Sequence, residues 1–209
     1  MMILRIIVLV VLLAGGLAAA DAIEITEKSE ALYARAGSFK ANFIQVVATG
    51  DFFDDEETAG ILLMEYPDRF RLETPEQVIT CDGDTLWSYS VENKQVLVEP
   101  VSQVGDMVTP ADYLFNFKEN YEIEFDTTLV EGEVEMHRLN LRAKDDDQYV
   151  RSLQLYVSTE NYAVVRVVYK DINENQITID FSDLKLGIDL DKKDFRFKPP
   201  RGVEEVRLP

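Results

Sequence analysis

The chain of 209 residues has one cysteine, Cys81, and one histidine, His137. An internal disulfide is therefore impossible, and zinc sites built on Cys and His lack ligands. Any Ser-His-Asp or Cys-His catalysis would rest on His137 alone, and no nucleophile motif such as G-x-S-x-G accompanies it. Basic residues are also scarce: 21 Lys and Arg stand against 39 Asp and Glu, a net charge of −18 with no basic run of five or more. Such a surface repels a phosphate backbone and an anionic bilayer alike, which argues against nucleic-acid binding. The single long apolar run, Ile6 to Leu13, is shorter than the roughly 20 residues that span a bilayer. The acidic runs Asp54-Asp55-Glu56-Glu57 and Asp145-Asp146-Asp147 lack the Gly-punctuated spacing of an EF-hand and read as solvated turns, so no metal is expected.

What the first 20 residues do have is the order of a secretory signal peptide: Arg5, the apolar run, then Ala18-Ala19-Ala20 as an A-x-A end. Cleavage after Ala20 is preferred; Ala20-Asp21-Ala22 offers a second frame. This gives a signal peptide at 1–20 and one domain at 21–209. Loss of Arg5 leaves the mature chain one unit more negative still, and no cysteine stands at either cleavage site to be lipidated. An exported, soluble protein is expected.

Along the mature chain, Ile25, Leu32 and Ala36 predict a helix over 25–36, which Gly37 can end. From Ser38 the period changes to two: Phe39, Ala41 and Phe43 alternate with Lys40, Asn42 and Ile44, as in a half-buried strand reaching about Val47. Thr49 to Gly60 reads as a loop. Strands follow at Ile61–Glu65, around Phe70 and Leu72, and at Val78–Cys81, Thr85–Val91 and Gln95–Val101, in a meander of hairpins. Pro110 to Phe117 predicts a short helix, because Pro suits the first turn and Tyr113, Leu114 and Phe117 recur at three to four. Strands resume at Tyr121–Thr127, Val134–Ala143, Tyr149–Val157, Tyr162–Asp171, Gln176–Ser182 and around Asp194–Phe197. About eleven strands at such spacing, with two helices, predict a single antiparallel sheet, sandwich or barrel.

Most of these strands carry one apolar face: Phe70 with Leu72; Trp87, Tyr89 and Val91; Leu139 with Leu141; Leu153, Leu155 and Val157; Ile177, Ile179 and Phe181. Two short helices cannot cover a flat sheet of that size, so the sheet must curl or double. A closed barrel or sandwich would fill its own core. A half-closed barrel capped by the helices would leave an apolar cavity.

Five segments in order resemble the periplasmic lipoprotein carrier family of the LolA type: Ser38-Phe39-Lys40-Ala41-Asn42-Phe43-Ile44-Gln45; Gly60-Ile61-Leu62-Leu63-Met64 with Pro67-Asp68-Arg69-Phe70-Arg71-Leu72; Asp82-Gly83-Asp84-Thr85-Leu86-Trp87-Ser88-Tyr89; Thr109-Pro110; and Phe195-Arg196-Phe197-Lys198-Pro199-Pro200-Arg201-Gly202-Val203. The resemblance implies a mainly β fold, a strongly curved antiparallel half-barrel whose helices form a lid over an apolar cavity. It implies a soluble, monomeric, non-enzymatic periplasmic chaperone without cofactor. Such a carrier takes acylated lipoproteins from an inner-membrane ABC transporter and delivers them to an outer-membrane receptor. Phe70 matches the family's aromatic associated with handover, and Leu114, with Tyr113 and Phe117, its lid. The remaining candidates for the acyl cavity are Leu32, Phe43, Leu62, Met64, Leu72, Trp87, Tyr89, Leu153 and Leu155. One position departs from the family pattern: Tyr66 stands before Pro67 where an Arg latches the lid, and Tyr66 has a hydroxyl but no fork of donors. Arg69 and Arg71 are expected to point away from the cavity, opposite Phe70 and Leu72. A related half-barrel that binds a lipid or glycolipid, or senses envelope lipoproteins, is the alternative.

Overall fold

Twelve strands form one open sheet in the order β12-β6-β5-β4-β3-β2-β1-β11-β10-β9-β8-β7. The computed structural model describes residues 14–48, 55–104, 109–145, 150–171 and 173–207. The strands are β1 Ser38–Ala48, β2 Glu56–Glu65, β3 Arg69–Glu73, β4 Gln77–Cys81, β5 Thr85–Ser90, β6 Gln95–Pro100, β7 Tyr121–Glu131, β8 Val134–Ala143, β9 Ser152–Ser158, β10 Val164–Lys170, β11 Gln176–Leu186 and β12 Glu204–Arg207. All pairings are antiparallel except β12 with β6.

The inner face is built by alternation. Phe39 and Phe43 of β1, Leu62 and Met64 of β2, Phe70 of β3, Leu86 of β5, Leu139 and Leu141 of β8, Leu153 and Leu155 of β9 and Ile177 and Ile179 of β11 join one buried cluster. Register irregularities at Lys40/Asn42, Val164/Arg166 and Phe125/Thr127 mark bulges, which bend and coil a sheet so that one face becomes concave. Gly60 is required at its position: an added Cβ would lie 2.4 Å from Phe43 Cζ and 2.5 Å from the Glu73 carbonyl oxygen. Its bare backbone lets the Phe43 ring lie across β2.

Helix α1, Ala14–Ala36, covers part of the concave face. Its buried stripe is Ala22, Ile25, Thr26, Ser29 and Tyr33, the i, i+3, i+4, i+7, i+11 pattern of one helical face. Leu32 falls at the margin of that stripe, half-buried and outside the cluster. Of the expected face of Ile25, Leu32 and Ala36 only Ile25 is buried, because three of the inward positions, Thr26, Ser29 and Tyr33, carry hydroxyls and do not read as apolar in the sequence. Thr26 donates to the Ile23 carbonyl at 2.9 Å, which satisfies its hydroxyl within the helix.

Other expectations are corrected by the chain itself. The loop expected to run to Gly60 ends earlier, since β2 begins at Glu56; Thr49 to Asp54 lie outside the described residues, as does the apolar run Ile6 to Leu13. The strand expected around Asp194–Phe197 is a 3-10 helix, Lys192–Phe195, which buries Phe195. The final strand lies further on, where Glu204–Arg207 runs parallel to β6. The helix expected over Pro110–Phe117 is broken. A 3-10 turn spans Pro110–Tyr113, Asn116 takes a left-handed φ of 58°, and the short helix α2 occupies Phe117–Asn120.

Candidate ligand-binding site

The segment from Thr109 to Asn120 lies over the concave face as a lid. Its start is tied by Asp112, whose carboxylate accepts from the Thr109 backbone N–H at 2.7 Å and from the Thr109 hydroxyl at 2.8 Å. Its end is tied to α1: the Phe117 N–H donates to Glu30 Oε1 at 2.8 Å, and Lys118 Nζ donates to Glu27 Oε1 at 2.7 Å. Between these ties Tyr113, Leu114, Phe115 and Phe117 are all buried. The left-handed step at Asn116 is what allows this, since four such positions in five cannot share one face of a regular helix.

Two apolar cavities flank the 3-10 turn. One, of about 220 Å³, is lined by Phe43, Phe70, Leu72, Ile79, Pro110, Tyr113, Tyr169 and Ile179, with Gln45, Thr58, Thr74, Glu76 and Gln77 as its polar rim. The other, of about 290 Å³, is lined by Phe70, Cys81, Leu86, Val101, Val104 and Ala111, with Asp68, Thr109 and Asp112 at its edge. Phe70, 4% exposed, is a wall of both. Neither cavity reaches the range of roughly 300–1,000 Å³ usual for small-molecule sites, so a long chain fits only if the lid shifts and the two join. A larger depression of about 760 Å³ opens between strands β7 to β11, where Ile123, Leu141, Leu153, Val168 and Tyr169 share the lining with Glu122, Glu124, Asn140, Arg142, Gln154 and Lys170. A hydrocarbon seated there would cost those charged and amide groups their hydration and give them no partner in return, so the lidded cavities are the better apolar site.

An aromatic chain holds the lid down. Phe115 meets Tyr33 of α1 edge-on, with centroids 5.7 Å apart, and meets Tyr66 edge-on on its other side at 5.1 Å. Tyr33 packs on Phe39 at 4.8 Å and accepts a hydrogen bond from the Val164 N–H at 3.0 Å, beside the β10 bulge. Burial pushes the Tyr33 and Tyr113 phenols far above their ordinary range, so both stay neutral. Tyr121, also buried, is pushed up to about 12 by burial and by the Asp112 charge. Tyr113, which lines the first cavity, therefore presents a neutral phenol, and the carboxylates of Glu76, Asp68 and Asp112 stand at the cavity edges.

Of the residues singled out from sequence, Phe43, Phe70, Leu72 and Tyr113 line the first cavity. Leu62, Met64 and Leu155, with Leu114 and Phe117 of the lid, belong to the packed cluster rather than to a wall of either lidded cavity, and Leu153 of that cluster lines the larger depression instead. Trp87 and Tyr89 face the other way. They alternate with inward Leu86, and the Tyr89 ring packs on Phe197 at 5.0 Å, under the C-terminal segment on the outer face. Arg69 and Arg71 do point outward as expected: Arg69 pairs with Glu65 at 2.9 Å and Arg71 with Glu73. Tyr66 reaches the lid through its ring. Phe115, Tyr33 and Ile79 are not among the residues singled out from sequence, and Tyr169, legible there as part of the apolar face of Val165, Val167 and Tyr169, is not among the cavity candidates. Ile79 was recoverable, because it alternates with Cys81 on β4. Phe115 was not, because its inward direction depends on the break at Asn116.

The model of the family described as outer membrane lipoprotein carrier protein LolA matches residues 34–198. An outer-membrane lipoprotein carrier protein of Legionella pneumophila (strain Paris) is 28% identical over 171 residues, covering 80% of this chain and 82% of that protein. One of Methylibium petroleiphilum is 28% identical over 197 residues, 93% of each chain. Among solved structures, an uncharacterized conserved protein from Thermus thermophilus superposes with a TM-score of 0.61 at 15% identity, covering 90% of this chain and 99% of that one. A putative outer membrane lipoprotein-sorting protein domain from Vibrio parahaemolyticus gives a TM-score of 0.51 at 13% identity, covering 85% and 97%. These structural likenesses bear on the fold.

Proposed function

The chain belongs to the outer membrane lipoprotein carrier family LolA, and from that premise we propose that it is a soluble periplasmic chaperone that carries acylated lipoproteins from an inner-membrane transporter to an outer-membrane receptor. The observation that carries this reading is the pair of apolar cavities divided by Phe70 and closed by a lid that is held by rings and a few hydrogen bonds. Each CH₂ exposed to water costs about 0.8 kcal/mol, so a protein bearing several long acyl chains cannot cross an aqueous compartment unescorted. A carrier must also let go. A lid fixed by contacts each worth about a kilocalorie can be displaced by an incoming chain and re-form behind it. Export follows from the signal-like residues 1–20, and Ala22, fully buried in the cluster, supports cleavage after Ala20 rather than after Ala22.

The test is native mass spectrometry of the protein purified from the periplasm of cells that make lipoproteins, followed by denaturing analysis of what it releases. Co-purified acylated protein supports the carrier. Free lipid or glycolipid alone supports a lipid-binding relative of the carrier. An empty protein that also ignores fluorescent fatty acid would overturn both. Phe70→Glu and Leu114→Glu are expected to abolish acyl uptake, because each sets a charge in or beneath the chamber.

A further inference from the structure

The inner face of the sheet changes character at one corner. Ile123, Leu141, Leu153, Ile177, Phe43 and Leu72 make it apolar from β7 round to β3, and Ile79 carries it one strand further. Directly opposite Ile79, and so on the same face, stands Ser88 of β5. Its hydroxyl is buried and meets no hydrogen-bond partner among the described residues, where native structures leave few such groups unpaired. Gln77 and Ser90 form the next inward pair, since Val78 and Tyr89 between them face out. The Ser90 oxygen accepts from the Asn93 side-chain amide at 3.0 Å, so its own proton is left to donate. Gln77, Ser88 and Ser90, with Glu76 and Glu92 at the turns beyond them, line a depression of about 440 Å³ that adjoins the first cavity: Glu76 and Gln77 belong to both linings. Among the described residues its lining includes none of the lid.

A hydrocarbon gains nothing where hydroxyls and amides begin, so this corner suits the polar end of whatever lies in the cavity. Charge decides which polar end. Two carboxylates, Glu76 and Glu92, stand at its rim, and among the described residues no Lys, Arg or His lines the depression or the first cavity; Lys94, in the same turn as Glu92, is outside both linings. A phosphate or a free carboxylate placed there would meet two like charges and no cation. Esters and amides need only neutral donors and acceptors. We propose that this corner receives the uncharged ester and amide groups that join acyl chains to the first residues of a lipoprotein, and that it thereby selects lipoproteins over phosphate-bearing lipids. The proposal rests on the carrier reading and adds to it a place where the cargo is discriminated.

The full mature chain, loaded with the uncharged fluorophore 1-aminoanthracene, is to be titrated with two competitors that carry the same pair of acyl chains. One is a lipopeptide, N-acetyl-S-dipalmitoylglyceryl-cysteine followed by serines and a terminal amide; the other is dipalmitoyl phosphatidylglycerol. The lipopeptide should displace the fluorophore at about one tenth of the phospholipid concentration or less, the equivalent of one or two neutral hydrogen bonds. Ser88→Ala and Ser90→Ala should each lower that preference by about 3- to 10-fold, and Ser88→Ala should keep its melting temperature or raise it, because the hydroxyl it removes has no partner in the folded chain. Glu92→Lys, at an exposed turn, should lower the preference at least about threefold by improving the phospholipid, and by less once salt reaches about 0.5 M. Equal displacement by the two ligands in the wild-type chain overturns the proposal, as does a preference that all three variants leave unchanged; in both cases displacement by either ligand leaves the carrier reading standing. Failure of both ligands to displace the fluorophore overturns the carrier reading and the site together.

Discussion

The Tyr66 ring stands edge-on to the Phe115 ring, with centroids 5.1 Å apart and planes at 89°. It joins the loop before β3 to the lid through ring contact. An edge-to-face pair contributes about 0.5–1.5 kcal/mol beyond its buried area. Tyr66→Ala should therefore raise the open population of the lid by roughly 2- to 10-fold, while Tyr66→Phe should leave it unchanged. Hydrogen exchange at the Phe115 amide, which donates to the Ala111 carbonyl at 3.0 Å, reads the difference.

Glu30 ties the lid to α1, yet its carboxyl is held above its ordinary value of 4.5, first by burial, with the Phe117 N–H pulling the other way. A folded value above the unfolded one means the native state holds its proton more tightly. The contribution of Glu30 to stability is thus greatest below pH 4.5 and falls as pH rises through its higher folded value. Glu30→Gln keeps an oxygen for the Phe117 N–H and cannot ionise. Urea midpoints measured from pH 4 to pH 7 should fall less steeply for that variant, with about equal or higher stability at the neutral end.

The strands were legible because period-two alternation is local: the inward residues of β1, β8, β9 and β11 are those that alternate apolar with polar. Curvature was legible only as a deficit of cover, since the bulges that produce it leave no composition signal. Trp87 and Tyr89 misled because β5 is apolar on both faces. Leu86 and Trp87 are neighbours in sequence, and the outer face is covered by Phe195 and Phe197, more than 100 residues away. No local pattern could assign the cavity side. The lid was half legible. Pro110 starts it as expected, but Phe115 turns inward only because Asn116 accepts a left-handed conformation, which Asn tolerates better than most residues.

Gly60 tests how tightly the chamber wall is packed. A methyl there would meet the Phe43 ring at 2.4 Å and the Glu73 carbonyl at 2.5 Å. Side-chain repacking can relieve the first contact but not the second, which is backbone. Gly60→Ala should lower stability by about 1–3 kcal/mol, as overpacking does. Pairing it with Phe43→Leu should recover only part of that loss. Chemical denaturation of the three variants separates the two contacts.

Cys81 offers a built-in report on the lid. Its thiol is 3% exposed, forms a wall of the cavity beside Thr109 and Asp112, and accepts from the Gly83 N–H at 3.4 Å. Burial raises the thiol above its ordinary value and neighbouring carboxylates add to the rise, so little thiolate is present near neutrality. Labelling by a small aromatic disulfide should be at least about tenfold slower than in the urea-unfolded chain and should quicken with pH. Tyr66→Ala should speed it at constant pH, since opening rather than ionisation then limits access. Added fatty acid should slow it again if the acyl chain enters the Cys81 side of Phe70. Unchanged labelling with fatty acid bound would confine the chain to the cavity beneath Tyr113.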